Sequence, residues 1–294
     1  MFGMAWFIIK RMPRILALML NFISIFLMVF LLIGCYNEEQ QTTFLTRFQF
    51  NKESPMYSII ENTFKGKTET EGLENIRVKA GYLGICVSNL PQAYSRDPVL
   101  CFGRKNVTAS PLYEHLNIKI FNIPSRENAT QPDTTNLNIL DLAHLSIADV
   151  IHPYILMLNV ILCILMFFLT LYTAVPKLPF KRALNSALLI ISPILVVLLS
   201  FGSMWSHVAI SASKAFIPKA SMNIIKIHKG RKSSSMVWFS FIFILLNCII
   251  IWAIYFRDRK SPEEETSEQR EYNKYSNSEY GRYNGDRSTT STKY

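Results

Sequence analysis

Four stretches of this chain carry no Asp, Glu, Lys or Arg: residues 15–35, 150–172, 183–206 and 236–256. Each is 21 to 24 residues long. At about 1.5 Å of helical rise per residue, each matches the roughly 30 Å hydrocarbon core of a bilayer. One such run could be the buried helix of a soluble protein, but four cannot. A soluble fold carries about a quarter charged residues, and here only 18% of 294 residues are charged. The pattern predicts a membrane protein with a four-helix transmembrane bundle.

The connections then acquire sides. Residues 1–14 are short and basic (Lys10, Arg11, Arg14), as suits a cytoplasmic N-terminus. The first span, 15–35, is too long for the apolar region of a cleaved signal and reads as an uncleaved anchor. Its end, Leu32-Ile33-Gly34-Cys35, has the form of a lipoprotein cleavage box. The length of the run and the three later spans argue against that reading. Residues 36–149 are a long polar segment with 11 basic and 13 acidic residues. The basic stretch 173–182, with Pro176 and Pro179, is predicted as a cytoplasmic turn between the second span, 150–172, and the third, 183–206.

Residues 207–235 then form a second extracellular loop, although they hold six cations: Lys214, Lys219, Lys226, Lys229, Arg231 and Lys232. This conflicts with the preference for cations on the inner side. The assignment is kept because one complete hairpin returns the chain to the side of 36–149. The fourth span, 236–256, is followed at once by Arg257, Arg259 and Lys260. The tail, 257–294, has no aliphatic residue and is predicted to be disordered and cytoplasmic. The net charge of +10 is therefore scattered along membrane flanks, which does not fit a nucleic-acid surface.

The segment 36–149 holds two sequons, Asn106-Val107-Thr108 and Asn128-Ala129-Thr130, so Asn106 and Asn128 are expected to be glycosylated outside the cell. Alternation predicts strands near Thr43–Phe50, Ile76–Val87, Pro98–Phe102 and Ile118–Ile123, with polar connections at 51–75 and 103–116. Asn138 to Val150 changes to helical spacing, and 223–229 reads as a further strand.

Signs of catalysis are missing. His115, His144, His152, His207 and His228 follow no metal or triad spacing, and there is no phosphate-cradling glycine loop. No enzyme and no cofactor are expected. No acidic residue lies in a span, so no carboxylate ring is available there. Glu69, Glu71 and Glu74, or Asp141 and Asp149, could meet calcium outside the membrane, but none has the density of a calcium loop. The metal ligands stay unassigned.

Of five cysteines, Cys35, Cys163 and Cys248 lie in or at the edge of spans. Cys86 and Cys101 lie well inside the polar segment and should pair if it is extracytoplasmic. Cys86 ends the run Gly81-Tyr82-Leu83-Gly84-Ile85-Cys86, and Cys101 follows after fourteen intervening residues. The glycines suggest a close backbone approach beside the bridge.

This pattern, placed in the first external loop of a four-span protein, resembles the Gly-apolar-apolar-Gly-x-Cys…Cys signature of the claudin-like fungal tetraspans. The likeness is greatest to the factor-induced gene family of pheromone-induced calcium-influx regulators. Gly81, Gly84, Cys86 and Cys101 match, with Tyr82 and Leu83 in the apolar places. Claudins have a Trp upstream of this motif, whereas 36–149 contains none, which separates the chain from tight-junction roles. The resemblance implies a small claudin-like extracellular β-sheet domain that takes in the 223–229 strand. It further implies a plasma-membrane protein acting in low-affinity calcium influx and in membrane or cell fusion during mating. Membrane lipids, calcium channel subunits and a second copy of the chain are the implied partners. A structural or adhesion tetraspan, and a calcium channel in its own right, are the competing readings.

Overall fold

The computed structural model describes residues 2–66, 70–123, 133–146, 150–175 and 181–257. The sequon residue Asn128, the acids Glu69 and Asp149, and the tail after 257 lie outside the described residues.

Four long helices form the lower layer: α1 (Phe2–Ile33), with α5 (Tyr154–Ala174), α6 (Lys181–Ala220) and α7 (Arg231–Arg257) further along the chain. All four contain windows long and apolar enough to cross a membrane. They turn large apolar side chains outward, among them Phe22, Phe26, Phe30, Ile161, Phe168, Val197 and Phe239. Water would make that surface costly, and a bilayer removes the cost. The inner faces pack Met28, Leu31, Leu156, Val160, Cys163, Met166, Leu195, Leu199, Ile244 and Ile251 into one core.

Buried polar side chains mark the helix seams. The Asn21 amide donates to the Cys163 carbonyl at 3.3 Å, joining α1 to α5. Ser240 donates to the Ser24 carbonyl at 3.3 Å, joining α7 to α1. Ser24, Thr170 and Ser203 bond carbonyls one turn back in their own helices. These bonds satisfy groups that hydrocarbon cannot.

The polar segment between α1 and α5 folds above the bundle. A five-stranded antiparallel sheet runs in the order β4-β3-β2-β1-β7, from β1 (Thr46–Phe50), β2 (Arg77–Ala80), β3 (Gly84–Ser88), β4 (Val99–Gly103) and β7 (Ile225–Lys229). One register row, Leu100–Val87–Val78–Phe48–Ile227, lies on the inner face. It packs on α2 (Tyr57–Phe64), α3 (Pro111–His115), α4 (Ile139–Leu145) and the strand β5 (Asn117–Ile123), burying Ile60, Phe64, Leu112, Leu116, Ile118, Ile139 and Leu140. Caps start the short helices: Ser110 accepts from the Leu112 amide, and Asn138 from those of Leu140 and Asp141. β5 pairs with β6 (Asp133–Asn138) as a separate hairpin.

Three features depart from the expected strand pattern. Ile76–Val87 is a hairpin, folded at 81–83 where the Gly81 amide donates to the Gly84 carbonyl at 2.9 Å. The polar connections 51–75 and 103–116 contain α2 and α3: α2 is an eight-residue helix with Tyr57, Ile60 and Phe64 at helical spacing, and α3 has only five residues. α6 does not stop near Trp205 but continues to Ala220, carrying Ile217 against the sheet core. The strand at 223–229 does join β1, so the second loop lies on the same side as 36–149.

Candidate functional site

The Gly81–Cys86 run forms the contact between sheet and bundle. After α1 ends, the Gly34–Cys35 backbone crosses directly over the β2–β3 turn. A Cβ on Gly81 would sit 2.1 Å from the Gly34 carbonyl oxygen. A Cβ on Gly84 would sit 2.3 Å from the Cys35 oxygen and 3.0 Å from that of Phe102. Only glycine allows backbone to lie on backbone this closely. The helix that spans the membrane is thereby seated on the strand pair that carries the cysteines.

Tyr82, between the two glycines, points the other way. Its ring is 4% exposed and belongs to the core of the helix bundle, not of the sheet. Its hydroxyl lies 3.0 Å from Ser206 Oγ of α6, and burial pushes the phenol's pKa up despite that bond. A phenol held protonated remains a donor. Below it is a cavity of about 250 Å³, lined from all four long helices and including His152, Asn159, Gly202 and Ser240. The turn is thus a plug in the mouth of the bundle on the sheet side. Leu83 is half-buried, and its carbonyl accepts from the Arg104 amide at 2.9 Å.

Cys86 and Cys101 are directly opposite in the β3–β4 register and are bonded, with Cα atoms 4.0 Å apart. Cys35 lies against this bridge: its carbonyl oxygen is 3.4 Å from Cys86 Sγ. The Cys35 thiol is fully buried and its pKa is pushed up to about 12 by burial, only partly opposed by Lys79. Exchange needs a thiolate, so this neighbour leaves the bridge intact.

The remaining candidates are dispersed. Asn106 is exposed in the turn after β4. Glu74 accepts from its neighbour Asn75, and Asp141 takes a hydrogen bond from Tyr113, whose pKa is raised first by burial and then by that carboxylate. Among the described residues no group of three or more His, Cys, Asp or Glu could hold a metal ion. Sequence reasoning missed Gly34 and Ser206, the partners of Gly81 and Tyr82. Gly34 was visible only as part of the cleavage-box pattern, and nothing local marks Ser206.

The model of the family described as Ca2+ regulator and membrane fusion protein Fig1 matches residues 63–257. The match takes in the turn, the bridge and the last three long helices. The chain belongs to the Fig1 family. It is also 48% identical over 285 residues to the factor-induced gene 1 protein of Saccharomyces cerevisiae, covering 93% of this chain and 95% of that protein. No solved structure matches the chain. The Fig1 family is one of calcium regulation and membrane fusion and not a known enzyme family. In this Fig1 member the glycine-seated turn, its tyrosine plug and the adjoining bridge form the joint between the polar domain and the bundle.

Proposed function

We propose that this Fig1-family protein is a plasma-membrane regulator of low-affinity calcium influx and of membrane and cell fusion during mating. It acts without catalysis, both termini are cytoplasmic, and the sheet domain is extracellular, bridged and glycosylated at Asn106 and Asn128. The 48% identity along nearly the whole chain to a factor-induced protein carries the reading. The sheet, with its edge strand supplied from the second loop, is the arrangement expected of a claudin-like domain.

Regulation is favoured over conduction because no acidic residue lies in the four spans to build a cation-selective ring. Ser24, Thr170, Ser203 and Ser240 are spent on carbonyl bonds within the bundle. The ion then passes through a channel subunit with which this protein associates, and calcium is affected without being bound by a dedicated cage. The test is a deletion strain held at low external calcium, with pheromone-stimulated uptake and pair fusion recorded. Loss of both, restored by the wild-type chain, is expected. Unchanged uptake together with unchanged fusion ends the proposal.

A further inference from the structure

The outer face of the five-stranded sheet carries positive charge in register. Two rows cross it: Cys101–Cys86–Lys79–Arg47–His228 and Val99–Ser88–Arg77–Gln49–Lys226. Arg47 stands directly opposite Lys79 on one side and His228 on the other. Like charges opposite one another on neighbouring strands destabilise a sheet.

Glu53 and Glu74 line a cavity with Arg77 and Lys226, but the compensation is partial. Lys226 and Glu53 approach only to 3.8 Å, with both side chains open to solvent. Among the described residues no carboxylate pairs with Arg47, Arg77 or Lys79. Arg47 Nε and His228 Nε2, facing each other in register, are both without a hydrogen-bond partner. Burial and neighbouring cations push the pKa values of Arg47 and His228 down; Lys79 also moves down, chiefly through burial.

Lysines on edge strands often serve only to keep a free edge from pairing. That explanation covers Lys226 on β7. It does not cover Arg47, Arg77 and Lys79, which lie on the interior strands β1 and β2. Residues 35–43 cover the bridged end of the first row, with Lys79 Nζ donating to Gln41 Oε1 at 3.0 Å. The other end is open: Arg77 and Lys226 are exposed, and Arg47 and His228 are half-buried.

We propose that this face docks an extended acidic segment of a partner polypeptide, its carboxylates at alternate residues. The cations recur two residues apart on β2 (Arg77, Lys79), and β7 repeats the spacing with Lys226 and His228. That is a repeat of about 6.8 Å along the strand, the same-side repeat of an extended peptide. Arg47, at the centre, offers a planar fork suited to a carboxylate. The Cys86–Cys101 bridge holds the strand pair at the covered end of the same row. A membrane surface or an acidic polysaccharide offers negative charge without this spacing.

The test uses the full-length protein in nanodiscs of neutral lipid. A fluorescent alternating peptide, (Glu-Thr)5, is compared with a block peptide of the same composition by anisotropy. The alternating peptide is expected to bind more tightly and to be released as salt rises. Arg47→Gln with Arg77→Gln, both at the open end, is expected to weaken binding about ten-fold or more, two charge-assisted bonds being lost. Lys65→Gln with Lys105→Gln, exposed cations off this face, is expected to bind as the wild type does. Because it relieves the repulsion between Arg47 and Arg77, the Arg47/Arg77 variant should melt no lower than wild type, so lost binding cannot be blamed on unfolding. Equal affinity for the block peptide, undiminished binding by that variant, or its melting lower, overturns the inference. A preference for anionic vesicles, an acidic polysaccharide or a second copy of the chain does the same.

Discussion

Replacing Gly84 by alanine tests the joint most directly. The added methyl would lie 2.3 Å from the Cys35 carbonyl oxygen, where ordinary contact begins at 3.4 Å. One partner must retreat by about 1 Å, and neither is free to do so. Cys35 is backbone at the end of α1, wedged against the bridge. The second neighbour, the Phe102 oxygen at 3.0 Å, belongs to the β3–β4 ladder. Overpacking of this kind costs about 1–3 kcal/mol, and two backbone obstacles place it at the upper end. For a chain of this size each kcal/mol lowers the melting temperature by about 2–4 °C, so a drop of about 6–12 °C is expected. The assay is tryptophan-fluorescence melting of the detergent-solubilised protein. Gly103→Ala provides the control, because its Cβ would meet nothing within 4 Å. The reasoning fails if Gly84→Ala melts with the wild type, or if Gly103→Ala falls by as much.

Cys101→Ser should lower stability by about 3 kcal/mol, the loop-entropy contribution of a bridge at a sequence separation of 15, and denatured unreduced wild type should alkylate at only three cysteines, Cys35, Cys163 and Cys248; alkylation of all five would contradict the bridge. Tyr82→Phe should cost about 1 kcal/mol through loss of the Ser206 bond, and Tyr82→Ala about 3–5 kcal/mol through loss of the plug. Equal melting of the two variants would show that the ring does not bear on the bundle. His228 has a lowered pKa from burial and from Arg47, Lys226, Lys214 and Arg77, so the unfolded chain takes up a proton near pH 6.5 before the folded one does. Stability is therefore full above about pH 6.5 and falls as pH drops toward the folded value. Melting curves between pH 7.5 and 5 should show this slope, and His228→Gln should flatten it; an unchanged slope would assign the acid sensitivity elsewhere.

The length and neutrality of the four apolar runs sufficed, without any structure, to determine a membrane bundle, since a bilayer selects for those properties residue by residue. The alternating strands and the pairing of Cys86 with Cys101 were legible for a similar local reason: a two-residue period and a compartment rule. The hairpin at Gly81 was not, because alternation ends at Ala80 and Gly81–Val87 has no polar residue to mark the turn. The meaning of the two glycines was legible only as a close approach with no partner named. Tertiary structure decided that the partner is Gly34–Cys35, and that Tyr82 serves the bundle while its neighbours serve the sheet. It also decided the cationic face. Arg47 and Lys79 are 32 positions apart and His228 is far beyond both, so only strand order and register could set them side by side. Local periodicity reports which face a side chain occupies; which residue stands opposite depends on contacts between segments the sequence keeps far apart.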